Sequence, residues 1–134
     1  MTAIDTSVAV AAFASWHEAH AVALGSLSTG VRLIGHVALE TYAVLTRLPL
    51  PHRAPVGLVV EFLTRNFGDP VLVLPAEEQR RLLATVAESG IAGGSVYDAL
   101  VAATAVHAGE TLVTLDRRAL PTYESLGADF RFLG

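Results

Sequence analysis

Cysteine is absent from the 134-residue chain, which removes disulfides, thiolate zinc sites and cysteine nucleophiles together. Lysine is absent as well, since all nine basic residues are arginine. A Walker phosphate loop, a Schiff-base enzyme and a receiver-type phosphorylation site therefore have no lysine to draw on. Positive charge is scarce overall. The formal net charge of −4 argues against a protein that coats nucleic acid nonspecifically, because phosphate binding draws on clustered positive charge. Any nucleic-acid role must be local, guided by arginine pairs such as Arg80 with Arg81 or Arg117 with Arg118, while divalent cations would reverse the sign of an acidic pocket. No apolar run is long enough to span a bilayer, and the first residues lack the basic, apolar and small-residue zones of a signal peptide. A cytoplasmic protein is expected.

What the chain does have is core material. Hydrophobic residues make up 52% and charged residues 16%, the balance of a globular chain at single-domain length, so residues 1–134 are read as one domain. Thr2 to Asp5 is a short apolar strand ending in an acid, followed by a helix reaching Phe13. A second helical stretch runs from about His17 to Leu27 and breaks at Ser28-Thr29-Gly30. Val31 to Ile34 reads as a strand, and His36 to Leu48 as a helix stopped by Pro49 and Pro51. Further helices are expected from Pro55 to Phe67, from Pro75 to Gly90 and from Ser95 to His107, with strands at Val71–Leu74, Thr111–Leu115 and Ala128–Leu133. Strands alternating with helices predict an α/β fold, a central mostly parallel five-stranded sheet with helices on both faces.

That topology gathers four acids. Asp5 and Asp116 end strands, Glu40 lies about one turn into the helix after another strand, and Asp98 lies near the amino end of a helix that must start at the same edge. In open α/β sheets the carboxyl edge, near the switch in strand order, is where ligands bind. Singly, each acid has a plainer explanation. Ser95 and Asp98 fit a capping box, Asp5 and Asp116 fit helix and turn caps, and Glu40 fits a first-turn acid favoured by the helix dipole. Together they are harder to ascribe to capping, because like charges in one cleft repel unless protons or cations neutralise them. Carboxylates without cysteine or a well-placed histidine suit Mg²⁺ or Mn²⁺. Such ions activate water and stabilise charge on phosphoryl oxygens, which leaves phosphatase, nuclease and plain metal-binding functions open.

Along its whole length the chain resembles the PIN domain, and especially the VapC toxins of prokaryotic toxin-antitoxin pairs. The motifs are Ile4-Asp5-Thr6-Ser7, Glu40-Thr41-Tyr42, Tyr97-Asp98-Ala99-Leu100 with Ala102-Ala103-Thr104-Ala105, and Thr114-Leu115-Asp116-Arg117-Arg118. Each is weak alone; their order and spacing make the set specific. The resemblance implies a three-layer PIN-like fold and an endoribonuclease dependent on Mg²⁺ or Mn²⁺, often acting on tRNA or ribosomal RNA. It also implies a cognate antitoxin that blocks the site, and a homodimer. By carry-over, Asp5 and Asp98 are the principal metal ligands, with Glu40 and Asp116 completing the cluster. Ser7 and Thr114 match hydroxyl positions that orient the acids or a water, and Arg117 and Arg118 are weaker candidates for contacts to RNA phosphate.

Other polar groups rank lower. His17 and His20 are read as a polar helix face, and His36 as a helix-entry histidine beside Glu40. Trp16, Tyr42 and Tyr97 are of a type that stacks on bases in RNA-binding proteins, but they are assigned to core or dimer packing. Gly90, Gly93 and Gly94 form a hinge before a helix. Two rivals stand beside the nuclease. A noncatalytic receiver-like or metal-binding module lacks its lysine, and a phosphatase with Asp5 as nucleophile lacks the usual Asp-x-Asp, because Ser7 holds the third position.

Overall fold

A computed structural model describes residues 1–28 and 30–134; Thr29, expected in the turn after the second helix, lies outside them. Among the described residues the sheet has four parallel strands in the order β2-β1-β3-β4. These are β1 (Thr2–Ile4), β2 (Val31–Leu33), β3 (Thr111–Thr114) and β4 (Phe130–Phe132). Ile4 is in register with Leu33 on one side and Val113 on the other. Neighbouring residues on the central strands, Ala3 with Ile4 and Leu112 with Val113, are all fully buried. Because successive side chains point to opposite faces, both faces of the sheet are covered.

The fifth expected strand, Val71–Leu74, does not form. Only Leu72 pairs, through a single parallel bridge to Ile34, with Leu72 N–H donating to Leu33 O and Gly35 N–H to Leu72 O, both at 2.8 Å. Pro70 and Pro75 bracket the segment and supply no ladder donors. Val71 and Val73 face outward and Leu72 and Leu74 inward, so the segment is extended like a strand without the pairing of one.

The helices are α1 (Thr6–Phe13), α2 (His20–Gly25), α3 (Gly35–Thr46), α4 (Val56–Asn66), α5 (Ala76–Glu88), α6 (Ser95–Ala108) and α7 (Leu120–Ser125). A 3-10 turn at Arg117–Ala119 leads into α7, a helix not among those expected from the sequence. The second helix is shorter than expected: His17 lies in the turn before it and only His20 belongs to it, so the two histidines share no helix face. Gly109 closes α6 in the left-handed conformation at φ 71°, which glycine adopts without a Cβ penalty.

A main core joins the strands to α1, α6 and α7, with Val8, Val101, Ala105 and Tyr123 packed on the buried strand residues. A smaller cluster of Leu45, Ala54 and Val59, touched by Val10 and Phe13, holds the α3–α4 pair against α1. Phe13 meets Phe62 edge to face at 5.5 Å. No helix among the described residues is long and apolar enough to cross a membrane.

Candidate functional site

Chain order sets the site. After β1 the chain goes to β2 on one side, and β3 is added on the other, so the carboxyl ends of β1 and β3 flank the switch point where a crevice opens. A cleft of about 450 Å³ lies there, lined by Asp5, Glu40, Asp98 and Asp116 together with His17 and Arg118. All four expected acids reach one cavity. The Arg80–Arg81 pair does not line it; both lie on α5, where Arg81 pairs with Glu78 at 3.0 Å.

Asp5 is the buried member. It caps α1 by accepting from Val8 N–H at 3.3 Å, while Ser7 Oγ donates to Oδ1 at 2.5 Å and Tyr123 OH to Oδ2 at 2.7 Å. Burial pushes its carboxyl above the usual carboxylate range, opposed by the hydroxyls of Ser7, Thr114 and Tyr123 and by the Val8 amide. Tyr123 shifts in the same direction, held protonated by burial and by the negative charge of Asp5. Ser7 also accepts from Leu115 N–H at 2.9 Å, so one hydroxyl ties the end of β3 to Asp5. Thr114, fully buried, accepts from Asp116 N–H at 2.9 Å and thereby orients that residue's backbone.

The remaining acids sit nearer solvent. Thr6 donates its hydroxyl to Glu40 Oε1, and His36 Nε2 lies 4.0 Å from Oε2. Stacked rings of His36 and Tyr97, 5.4 Å apart and nearly parallel, join the helices that carry Glu40 and Asp98. Asp98 is raised above its ordinary range by desolvation, and Asp116 and Glu40 add to this while Arg118 opposes it. The Arg118 guanidinium bridges Asp98 Oδ2 at 3.4 Å and Asp116 Oδ2 at 3.0 Å. Asp116 and then Asp98 hold its proton more tightly than usual.

The capping readings divide. Asp5 and Asp116 do cap, the latter accepting from Arg118 N–H at 3.1 Å. The Ser95–Asp98 box does not form. Gly93 turns the chain at φ 62° and Gly94 becomes the cap, so Asp98 stands one position past the register a capping box needs. Its carboxylate meets Arg118 instead. Core packing is also overturned for Trp16, Tyr42 and Tyr97, all of which are exposed. Arg117 lies over the Phe132 ring at 4.7 Å, a cation–π contact. Sequence reasoning passed over Tyr123, placed His17 on a polar helix face and gave Thr6 no role of its own, yet all three line the cleft. Only Tyr123 left a usable signal: Pro121 marks a helix start, and a buried tyrosine needs a partner for its hydroxyl.

Among the described residues, no three histidine or acidic side chains stand close enough to chelate one ion as they are arranged. The expected convergence reaches a shared cleft, not a closed coordination shell. Asp5 and Glu40 are engaged by hydroxyls, and Arg118 spans the other two acids. The donor chemistry nevertheless fits a hard divalent cation, because every acid offers carboxylate oxygen and a positive group already occupies the position between Asp98 and Asp116. Arg118 is 68% exposed along its side chain, so it can leave without disturbing the core.

Residues 2–124 match the PIN domain family, and the chain belongs to that family. More particularly, it is similar to two proteins of Mycobacterium tuberculosis strain H37Rv. It is 50% identical over 126 residues to Ribonuclease VapC40, covering 94% of each chain. It is 40% identical over 126 residues to Ribonuclease VapC27, covering 93% of this chain and 91% of that one. The resemblance expected from the motifs is therefore shown.

Proposed function

We propose that this chain, as one PIN domain over residues 1–134, is a metal-dependent endoribonuclease and the toxin of a type II toxin-antitoxin pair. The observation that carries it is the cleft at the β1/β3 switch point lined by Asp5, Glu40, Asp98 and Asp116, in a chain half identical to a ribonuclease of the same length class. Asp5 and Asp98 would be the principal ligands of Mg²⁺ or Mn²⁺, with Glu40 and Asp116 completing the set. Such an ion, when bound, lowers the pKa of water and stabilises charge on the phosphoryl and leaving oxygens.

The chain's own residues supply the rest. Tyr123 and Ser7 fix the Asp5 carboxylate from opposite oxygens, and the Thr6 hydroxyl orients Glu40. Arg118 acts as the internal counter-ion of Asp98 and Asp116 and, being exposed, would be available to RNA phosphate if those acids held a divalent cation; Arg117 is the second candidate phosphate contact. The substrate is RNA, with tRNA and ribosomal RNA as the family candidates.

An antitoxin that presents a basic side chain would find in the cleft the environment Arg118 already occupies. The exposed Leu83 and Tyr97, beside an apolar cleft between α5 and α6, support a homodimer through that face. A cytoplasmic location agrees with an RNA substrate. The test is cleavage of RNA with and without Mn²⁺. Activity should require the ion and disappear in Asp5→Asn and Asp98→Asn while the far-ultraviolet circular dichroism of both variants is kept. Undiminished cleavage in both folded variants would sink the metal-site assignment.

A further inference from the structure

We infer that Trp16 and His52 form a stacking platform for an unpaired RNA base on the rim of the acidic cleft. Trp16 stands in the turn between α1 and α2, and His52 in the turn between α3 and α4. Their rings stack at 4.1 Å with an interplanar angle of 17°, although they are distant in sequence. Burial does not account for the pair, because Trp16 is 48% exposed and His52 is exposed too. An aromatic pair held half-open at the surface is well suited to a planar ligand.

The platform is continuous with the cleft. His17, adjoining Trp16 at a ring separation of 5.9 Å, is itself a lining residue of the cleft that Asp5 and Asp116 also line. His17 is fixed in place, since its Nδ1 accepts from Ala19 N–H at 3.0 Å. The segment that carries His52 is tied down as well: His52 N–H donates to Pro49 O at 3.0 Å, Ala54 N–H donates to Leu45 O at 2.9 Å, and Ala54 packs with Leu45 and Val59. The rings are therefore presented on a rigid base, which limits the ordering cost of binding.

Positive charge beside the stack suits a polyanion, and the open rings beside it suit one that carries planar bases. Arg47 and Arg53 flank His52 in the same turn and are exposed. Among the described residues neither forms an ion pair with a carboxylate. Arginines beside a solvent-facing aromatic stack are the elements of single-strand binding, the cations following the backbone while the rings take a base on its π-face. The scissile phosphate would lie at the acids and a neighbouring base on Trp16. This assignment rests on the ribonuclease reading.

Trp16 is the chain's one tryptophan, so its fluorescence reports on the platform alone. In the Asp98→Asn background, which leaves RNA uncut, a short single-stranded RNA should quench Trp16 with the same midpoint as the anisotropy of a fluorescent label on the RNA. Trp16→Ala should weaken that RNA's binding by roughly tenfold, the lower part of the range for losing one stacked base. Trp16→Phe should restore most of the affinity, and His52→Ala should weaken it with the folded circular dichroism retained. In a cleaving background Trp16→Ala should raise KM with little change in kcat.

Unquenched Trp16 while the RNA is bound, or unchanged affinity in folded Trp16→Ala, would overturn the platform and reassign the rings to a protein contact. Should the unaltered protein neither bind nor cut RNA, the ribonuclease reading itself fails. Cleavage with KM unaffected by Trp16→Ala overturns the platform alone.

Discussion

Replacing Tyr123 with phenylalanine removes one oxygen and tests whether Asp5 is held as an ionised carboxylate in a dry setting. The ring is almost fully buried and stays in place, so the change is confined to the donor that lies 2.7 Å from Asp5 Oδ2. A hydrogen bond to a charged group contributes about 1.5–3 kcal/mol, against about 0.5–1.5 kcal/mol for a neutral pair. For a chain of this size 1 kcal/mol moves Tm by roughly 4 °C. The expected loss for the metal-free protein at neutral pH is therefore about 6–12 °C.

The sign of the pH dependence follows from burial. Asp5 has a folded-state pKa above its unfolded one, so over that interval the folded chain binds more protons and stability falls as pH rises through the interval. Removing the donor raises the folded pKa further and steepens the fall. At pH low enough to protonate Asp5, Tyr123→Phe should cost only the smaller, neutral amount. Thermal melts followed by circular dichroism, in chelator at neutral and acidic pH, read both quantities. An equal Tm deficit at the two pH values would refute the claim that the hydroxyl serves the charged acid.

Three further variants probe the same cleft. Arg118→Ala should tighten Mn²⁺ binding several-fold by calorimetry, because the cation that competes for Asp98 and Asp116 is gone; its exposed ion pairs contribute at most about 1 kcal/mol to folding. Asp98→Asn should raise the Tm of the metal-free protein slightly by relieving desolvation and the repulsion from Asp116 and Glu40. The same variant should abolish the Mn²⁺-induced rise in Tm, which for the unaltered protein is about 2.7 kcal/mol of stabilisation at an ion concentration of 100 Kd. Ser7→Ala should cost about 1–3 kcal/mol in a chemical denaturation curve, since the Leu115 amide loses its acceptor and Asp5 a donor.

The acids were legible because their positions follow from strand and helix ends, which local pattern reveals. Asp5 ends an apolar run before Thr6-Ser7, and Asp116 ends a β-branched one; parallel strands then carry both to the same edge. Where the sequence reading failed, a neighbour distant in the chain or a one-residue shift decided. The Val71–Leu74 segment is apolar and extended as a strand is, yet only Leu72 meets a partner strand end, and the prolines on either side cannot donate to lengthen the ladder. The Ser95 capping box has the right spacing, but Gly93 and Gly94 move the helix start by one position.

Local sequence, then, determined the α/β alternation, the carboxylate donor set and, through absent cysteine and lysine, the chemistry left to it. Tertiary structure alone decided what each carboxylate touches. Tyr123 reaches Asp5 from 118 positions away, Arg118 crosses to Asp98 on another helix, and Trp16 finds His52 across two turns. Such contacts carry no periodic signature, because they depend on how packed helices and strands meet rather than on spacing along one element.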